Sequence, residues 1–132
     1  MRGHNFTLSA TFDEIDPKSY DGLWIPGGRA PEYLRMNDKV VEIASYFLES
    51  GKPLAAICHG PQILVATGKI QGRTMTCYPA VATELKLAGA NYQAAKDEAV
   101  VDGNLVTGVA WNANPTVSRA FLNLMGCKCH FE

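Results

Sequence analysis

Two short apolar runs constrain the fold more than anything else in this chain. Leu23-Trp24-Ile25 runs into Pro26-Gly27-Gly28, and Leu54-Ala55-Ala56-Ile57 runs into Cys58-His59-Gly60-Pro61. Neither run alternates polar with apolar residues. An unbroken apolar strand is buried on both faces, which requires a sheet covered by helices on each side. The intervening sequence supplies a helix. Val40, Val41, Ile43, Ala44, Phe47 and Leu48 recur at helical spacing, Asn37 can cap the start, and Gly51 with Pro53 ends it. A second helix is predicted over Pro61–Thr67, closed by Gly68. A third runs over Ala80–Ala88 and stops at Gly89, and a fourth covers Pro115–Met125. Further strands are expected at Phe6–Thr11 and Thr74–Thr76. Asp102-Gly103 between Glu98–Val101 and Asn104–Thr107 is a hairpin signal.

Strands alternating with helices define an α/β sandwich, in which ligands bind beyond the carboxyl ends of the strands. If the first two apolar strands are neighbours, their terminal loops share one rim. At 132 residues one domain over 1–132 is expected. A net charge of -1 offers no field for nucleic acid or an anionic membrane. No apolar run is long enough to span a bilayer, and the opening residues lack the apolar core of a signal peptide. A cytoplasmic protein is therefore expected, and its four cysteines read as reactive, metal-binding or packed thiols rather than as disulfides.

Cys58 has two readings. It is a small buried hydrophobe, or it is a nucleophile on a strand-to-helix turn. The second fits the small residues around it and the helix start that follows, where the helix dipole and a nearby imidazolium favour thiolate. The amide after the nucleophile and that of Gly28 could then serve as oxyanion donors. His59 also reads as a polar helix-start residue, Gly27-Gly28 as a turn, and Glu32 after Pro31 as an exposed acid at a helix start. Cys127-Lys128-Cys129-His130 lacks a fourth partner at a zinc spacing, so no metal is assigned. Cys77 reads as a packed thiol. No nucleotide-loop spacing is present.

Pro26-Gly27-Gly28-Arg29-Ala30-Pro31-Glu32, Ile57-Cys58-His59-Gly60-Pro61-Gln62, Tyr78-Pro79 and Asp102-Gly103-Asn104-Leu105-Val106-Thr107 together resemble the DJ-1/PfpI superfamily, in order along nearly the whole chain. The resemblance implies a flavodoxin-like three-layer sandwich of the class I glutamine amidotransferase-like type. It implies Cys58 as nucleophile, His59 as acid/base partner, and an oxyanion hole from the Gly28 and His59 amides beside Gly27. Tyr78 would line the pocket. Glu32 would orient the histidine of a neighbouring subunit, which implies a homo-oligomer. The implied chemistry uses no cofactor: methylglyoxal, glyoxal or a glycated protein gives a hydroxy acid. A cysteine peptidase and a non-enzymatic redox sensor or chaperone are the alternatives.

The sequence departs from the family in two places. It begins after the family's leading strand-helix-strand, which carries a glutamate on the thiol, so an opened sheet and weakened proton transfer are expected. Asn114 stands where some plant relatives have histidine.

Overall fold

The structure is a computed structural model and describes residues 3–127. Its elements are β1 (Leu23–Ile25), α1 (Ala30–Leu34), α2 (Asp38–Ser50), β2 (Leu54–Ile57), α3 (Pro61–Ala66), β3 (Thr74–Met75), α4 (Ala82–Leu87), β4 (Asn91–Tyr92), β5 (Val100–Asp102), β6 (Leu105–Gly108) and α5 (Asn114–Leu124). The main sheet has the order β1-β2-β6-β5. β1, β2 and β6 are parallel, and β5 closes the far edge as the antiparallel arm of the hairpin at Asp102-Gly103. β3 and β4 form a separate parallel pair.

The sheet is covered on both faces, as its unbroken apolar strands require. One face carries Ile25, Leu54, Ala56 and Leu105 against Ile43 and Phe47 of α2 and Leu64 of α3. The other carries Ala55, Ile57 and Val106 against Ala113 and Val117, with Trp24 and Phe121 at its margin. Every residue of β2 and β6 is buried. This is the three-layer α/β architecture expected of a flavodoxin-like fold.

Local signals act where the sequence places them. The Asn37 side chain accepts from the Lys39 and Val40 amides at 3.0 and 3.2 Å, satisfying two donors that the first turn of α2 would otherwise leave open. At the hairpin turn, Asp102 accepts from the Thr74 amide at 2.8 Å and from Arg73 Nε at 3.0 Å. The Thr74 amide holds the Asp102 carboxyl below its ordinary value of 3.8; burial opposes it, and the Arg73 guanidinium adds smaller lowering effects. A carboxylate depressed in the fold stabilises above its unfolded pKa, and that contribution disappears as pH falls through the folded value. Asp102→Asn should therefore cost about 1 kcal/mol at pH 7, given hydrogen bonds to a charged group discounted for partial exposure. In urea unfolding at pH 3 the gap from the native chain should shrink, and an equal gap at both pH values would contradict this account.

Two expectations change. Phe6–Thr11 is not a strand: no neighbouring strand supplies a ladder, and Phe6 and Leu8 lie exposed. Weak alternation without a partner leaves the backbone groups to water. The helix predicted over Ala80–Ala88 is divided, with a 3-10 turn at Pro79–Val81 preceding α4. The short strand β4 carried too little periodicity to be found.

Candidate active site

The two glycine-rich turns do share one rim, because β1 and β2 are adjacent and parallel, with Ile25 level with Ala56. Cys58 follows directly on β2. Its φ is 61°, and it is the sole non-glycine residue with positive φ among the described residues. An L-residue in the left-handed region costs roughly 1–2 kcal/mol. The surroundings impose it. The Cys58 amide donates to Gly108 O at 3.0 Å, Cys58 O accepts from the Tyr78 amide at 3.0 Å, and the Gly60 amide donates to Ile57 O at 2.8 Å. These bonds tie the turn to β2, β6 and the segment after β3.

Close approach explains the glycines. A Cβ on Gly27 would lie 2.5 Å from Cys58 Cβ and 3.1 Å from its sulfur. One on Gly60 would lie 2.8 Å from Ile25 O and 2.9 Å from Ile57 O. Gly28 differs. Its φ is +76°, and nothing stands within 4 Å of where its Cβ would be. Among the described residues, neither the Gly28 nor the His59 amide donates to a backbone acceptor.

Cys58 is half-buried and opens into a cleft of about 410 Å3. Trp24, Gly27, Gly28, Trp111, Asn114 and Ser118 line it, and no carboxylate does. The sequence reading missed Trp24, Trp111 and Ser118 as wall residues. A usable signal existed: Asn114 and Ser118 stand four apart at the start of α5, one turn after Trp111, and so share a helix face.

The remaining candidates are placed as follows. The His59 ring stacks on Tyr78 at 5.0 Å between centroids, 26° from parallel, and neither residue lines the cleft. Glu32 sits on α1 just beyond Gly28, is exposed, and pairs with Arg29 at 3.6 Å. It does not reach His59 within one chain. Cys77 is fully buried in the core, and burial, then the nearby Glu84 and Cys58, push its thiol up to about 12 despite Lys86. It is a packed, protonated thiol at neutral pH. Cys127 is exposed, while Lys128, Cys129 and His130 lie outside the described residues. Among the described residues no cluster of three metal-ligating side chains occurs, and no helix is long and apolar enough to cross a membrane.

A strained cysteine turn at the carboxyl end of parallel strands, facing a glycine turn from the neighbouring strand, sits on a three-layer α/β sandwich. Residues 1–124 match the DJ-1/PfpI family, and the chain belongs to it. It is 49% identical over 129 residues to Protein DJ-1 homolog D of Arabidopsis thaliana, covering 96% of this chain and 33% of that protein. It is 46% identical over 105 residues to Deglycase PH1704 of Pyrococcus horikoshii, covering 80% of this chain and 62% of that one. The crystal structure of a two-domain protein with DJ-1/ThiJ/PfpI-like and ferritin-like domains from Anabaena variabilis superposes with a TM-score of 0.79. That match has 35% identity and covers 87% of this chain and 32% of that one. The chain thus spans less than two thirds of the length of these relatives.

Proposed function

We propose that the chain converts a 2-oxoaldehyde, free or as an adduct on protein, to the corresponding 2-hydroxy acid without a cofactor. The observation that carries this reading is the Cys58 elbow, held at positive φ and open to a cleft that Gly28 also lines, its amide uncommitted to any backbone acceptor. Similarity to a protein named a deglycase supports it.

The Cys58 thiolate attacks the aldehyde carbon and forms a C–S bond, giving a hemithioacetal. The Gly28 and His59 amides receive the negative oxygen. A base removes the hydrogen on that carbon, and the enediol so formed is protonated on the adjacent carbon. The product is a thioester with a new hydroxyl group. Water cleaves it, releasing the hydroxy acid and the thiol. The aldehyde carbon is oxidised and the keto carbon reduced, so one water is consumed and no external oxidant is required.

His59 is the base in this scheme; its ring, stacked on Tyr78 outside the cleft wall, must turn towards Cys58 to act, and Glu32 of a second copy orients it in a homo-oligomer. Glu32 lies exposed at the edge of the same rim, which leaves it accessible to such a neighbour. General acid–base help contributes about 100- to 10,000-fold. With no carboxylate in the cleft wall, turnover by this chain alone should be slow.

The test is methylglyoxal in D2O without glutathione, followed by proton NMR. Lactate bearing deuterium at C2 is expected, because the enediol is reprotonated from solvent. Deuterium at C2 excludes a direct hydride shift between the two carbons. No lactate from a chain folded by circular dichroism would overturn the reading, and casein cleavage under the same conditions would transfer Cys58 to a peptidase.

A further inference from the structure

The cleft is much larger than a three-carbon aldehyde needs. Methylglyoxal occupies roughly 80 Å3, on the scale of about 30 Å3 for one water. The space beside Cys58 is about 410 Å3. Its walls are unusual in kind as well. Two indoles line it, with the neutral Asn114 and Ser118, and no charged side chain joins them. Such a lining suits a flat, uncharged ligand with few polar atoms.

Trp111 is the residue that stands out. It is 80% exposed, although indoles are usually largely buried. Its backbone is nonetheless fixed. The Asn112 side chain donates to Lys96 O at 3.0 Å and to the Asp97 carboxylate. The Ala113 amide donates to Ala110 O at 2.9 Å, and Thr116 Oγ1 donates to Asp97 O at 2.7 Å. A rigid turn therefore presents an open aromatic face at the cleft. The second indole, Trp24, is held edge-on by Phe121 at 5.5 Å and 80°. An aromatic surface fixed before the ligand arrives costs little ordering on binding.

We propose that Trp111 is a specificity-determining residue, and that the site prefers 2-oxoaldehydes carrying a planar aryl group over methylglyoxal. This rests on the aldehyde reading above for its chemistry, but not for its binding component. Aromatic contacts of this kind correspond to about 2- to 12-fold in affinity.

Phenylglyoxal is the probe, and mandelate its expected product. The ratio of kcat/KM for phenylglyoxal over methylglyoxal should be about 10 in the native chain. Trp111→Ala should bring it near 1, mainly through KM for phenylglyoxal. Trp111→Phe should keep most of the preference. A ratio near 1 in the native chain, or one unmoved by Trp111→Ala, overturns the proposal.

A second readout needs no turnover. The chain has two tryptophans, so two indole N–H signals are expected in a nitrogen-correlated NMR spectrum, and Trp111→Phe assigns them. Titration with acetophenone, an uncharged aryl ketone, should move the Trp111 signal, and acetone should not. Movement without turnover of either aldehyde would retain the aryl site while removing the chemistry proposed for Cys58. Absence of movement with acetophenone, whether or not turnover occurs, would overturn the aryl site.

Discussion

Replacing Cys58 with alanine is expected to lower aldehyde turnover by about 1,000-fold or more, because removal of a covalent nucleophile leaves only binding and oxyanion stabilisation. The measurement is lactate formed from methylglyoxal by native and variant chains at equal concentration. Residual turnover within tenfold of native would remove Cys58 from the chemistry. The backbone at this position allows a second, independent check. Cys58 has φ 61°, and alanine would inherit that conformation. Glycine would not be strained there. Cys58→Gly should therefore be more stable than Cys58→Ala by about 1 kcal/mol, or about 4 °C in Tm, reversing the usual order of these residues. Both variants should be equally inactive. Equal stability of the two would show that the elbow stores no strain.

Gly27→Ala should damage the site from the other side. The added methyl would lie 2.5 Å from Cys58 Cβ, 3.1 Å from Cys58 Sγ and 3.1 Å from Ile57 O. None of these is the end of a flexible chain, so β1 and the elbow must separate. Overpacking of this kind costs about 1–3 kcal/mol. A displacement near 1 Å at the reacting sulfur costs about 100-fold in rate. Urea midpoints and initial rates measured on the same preparation separate the two effects. Gly28→Ala is the informative contrast: it adds a methyl into open space, so its cost comes from positive φ alone. Native rates for Gly27→Ala would mean the two loops are not as closely coupled as their contact distances imply.

Much of this architecture was legible before folding. β1 and β2 announced themselves as unbroken apolar runs, although β1 lies at the sheet edge with only Ile25 buried, and α2 through its apolar period and its Asn37 cap. Asp102-Gly103 signalled the hairpin, whose turn falls one residue later: Asp102 pairs with Leu105, Gly103-Asn104 make the turn, and Gly103 takes the positive φ. Phe6–Thr11 misled because alternation records which face could be buried, not whether a partner strand exists. The Cys-His-Gly turn between a strand and a helix marked a possible nucleophile, but left a packed thiol equally open.

Tertiary structure decided that question's geometry. Cys58 and Cys77 are both cysteines beside small or aromatic neighbours in sequence, yet one opens into a cleft and the other is sealed in the core with its thiol pushed up to about 12. Solvation is a property of the assembled layers, and no local pattern encodes it. The same holds for the cleft wall. Trp24, Trp111 and Ser118 come from β1, the turn after β6 and α5. The sequence by itself determined which segments would be buried strands and which turns had to be glycine, since those follow from backbone sterics and local period. Which side chains would face one another across the rim was set only when β1 paired beside β2 and α5 closed the opposite face, because burial and contact arise between segments far apart in the chain.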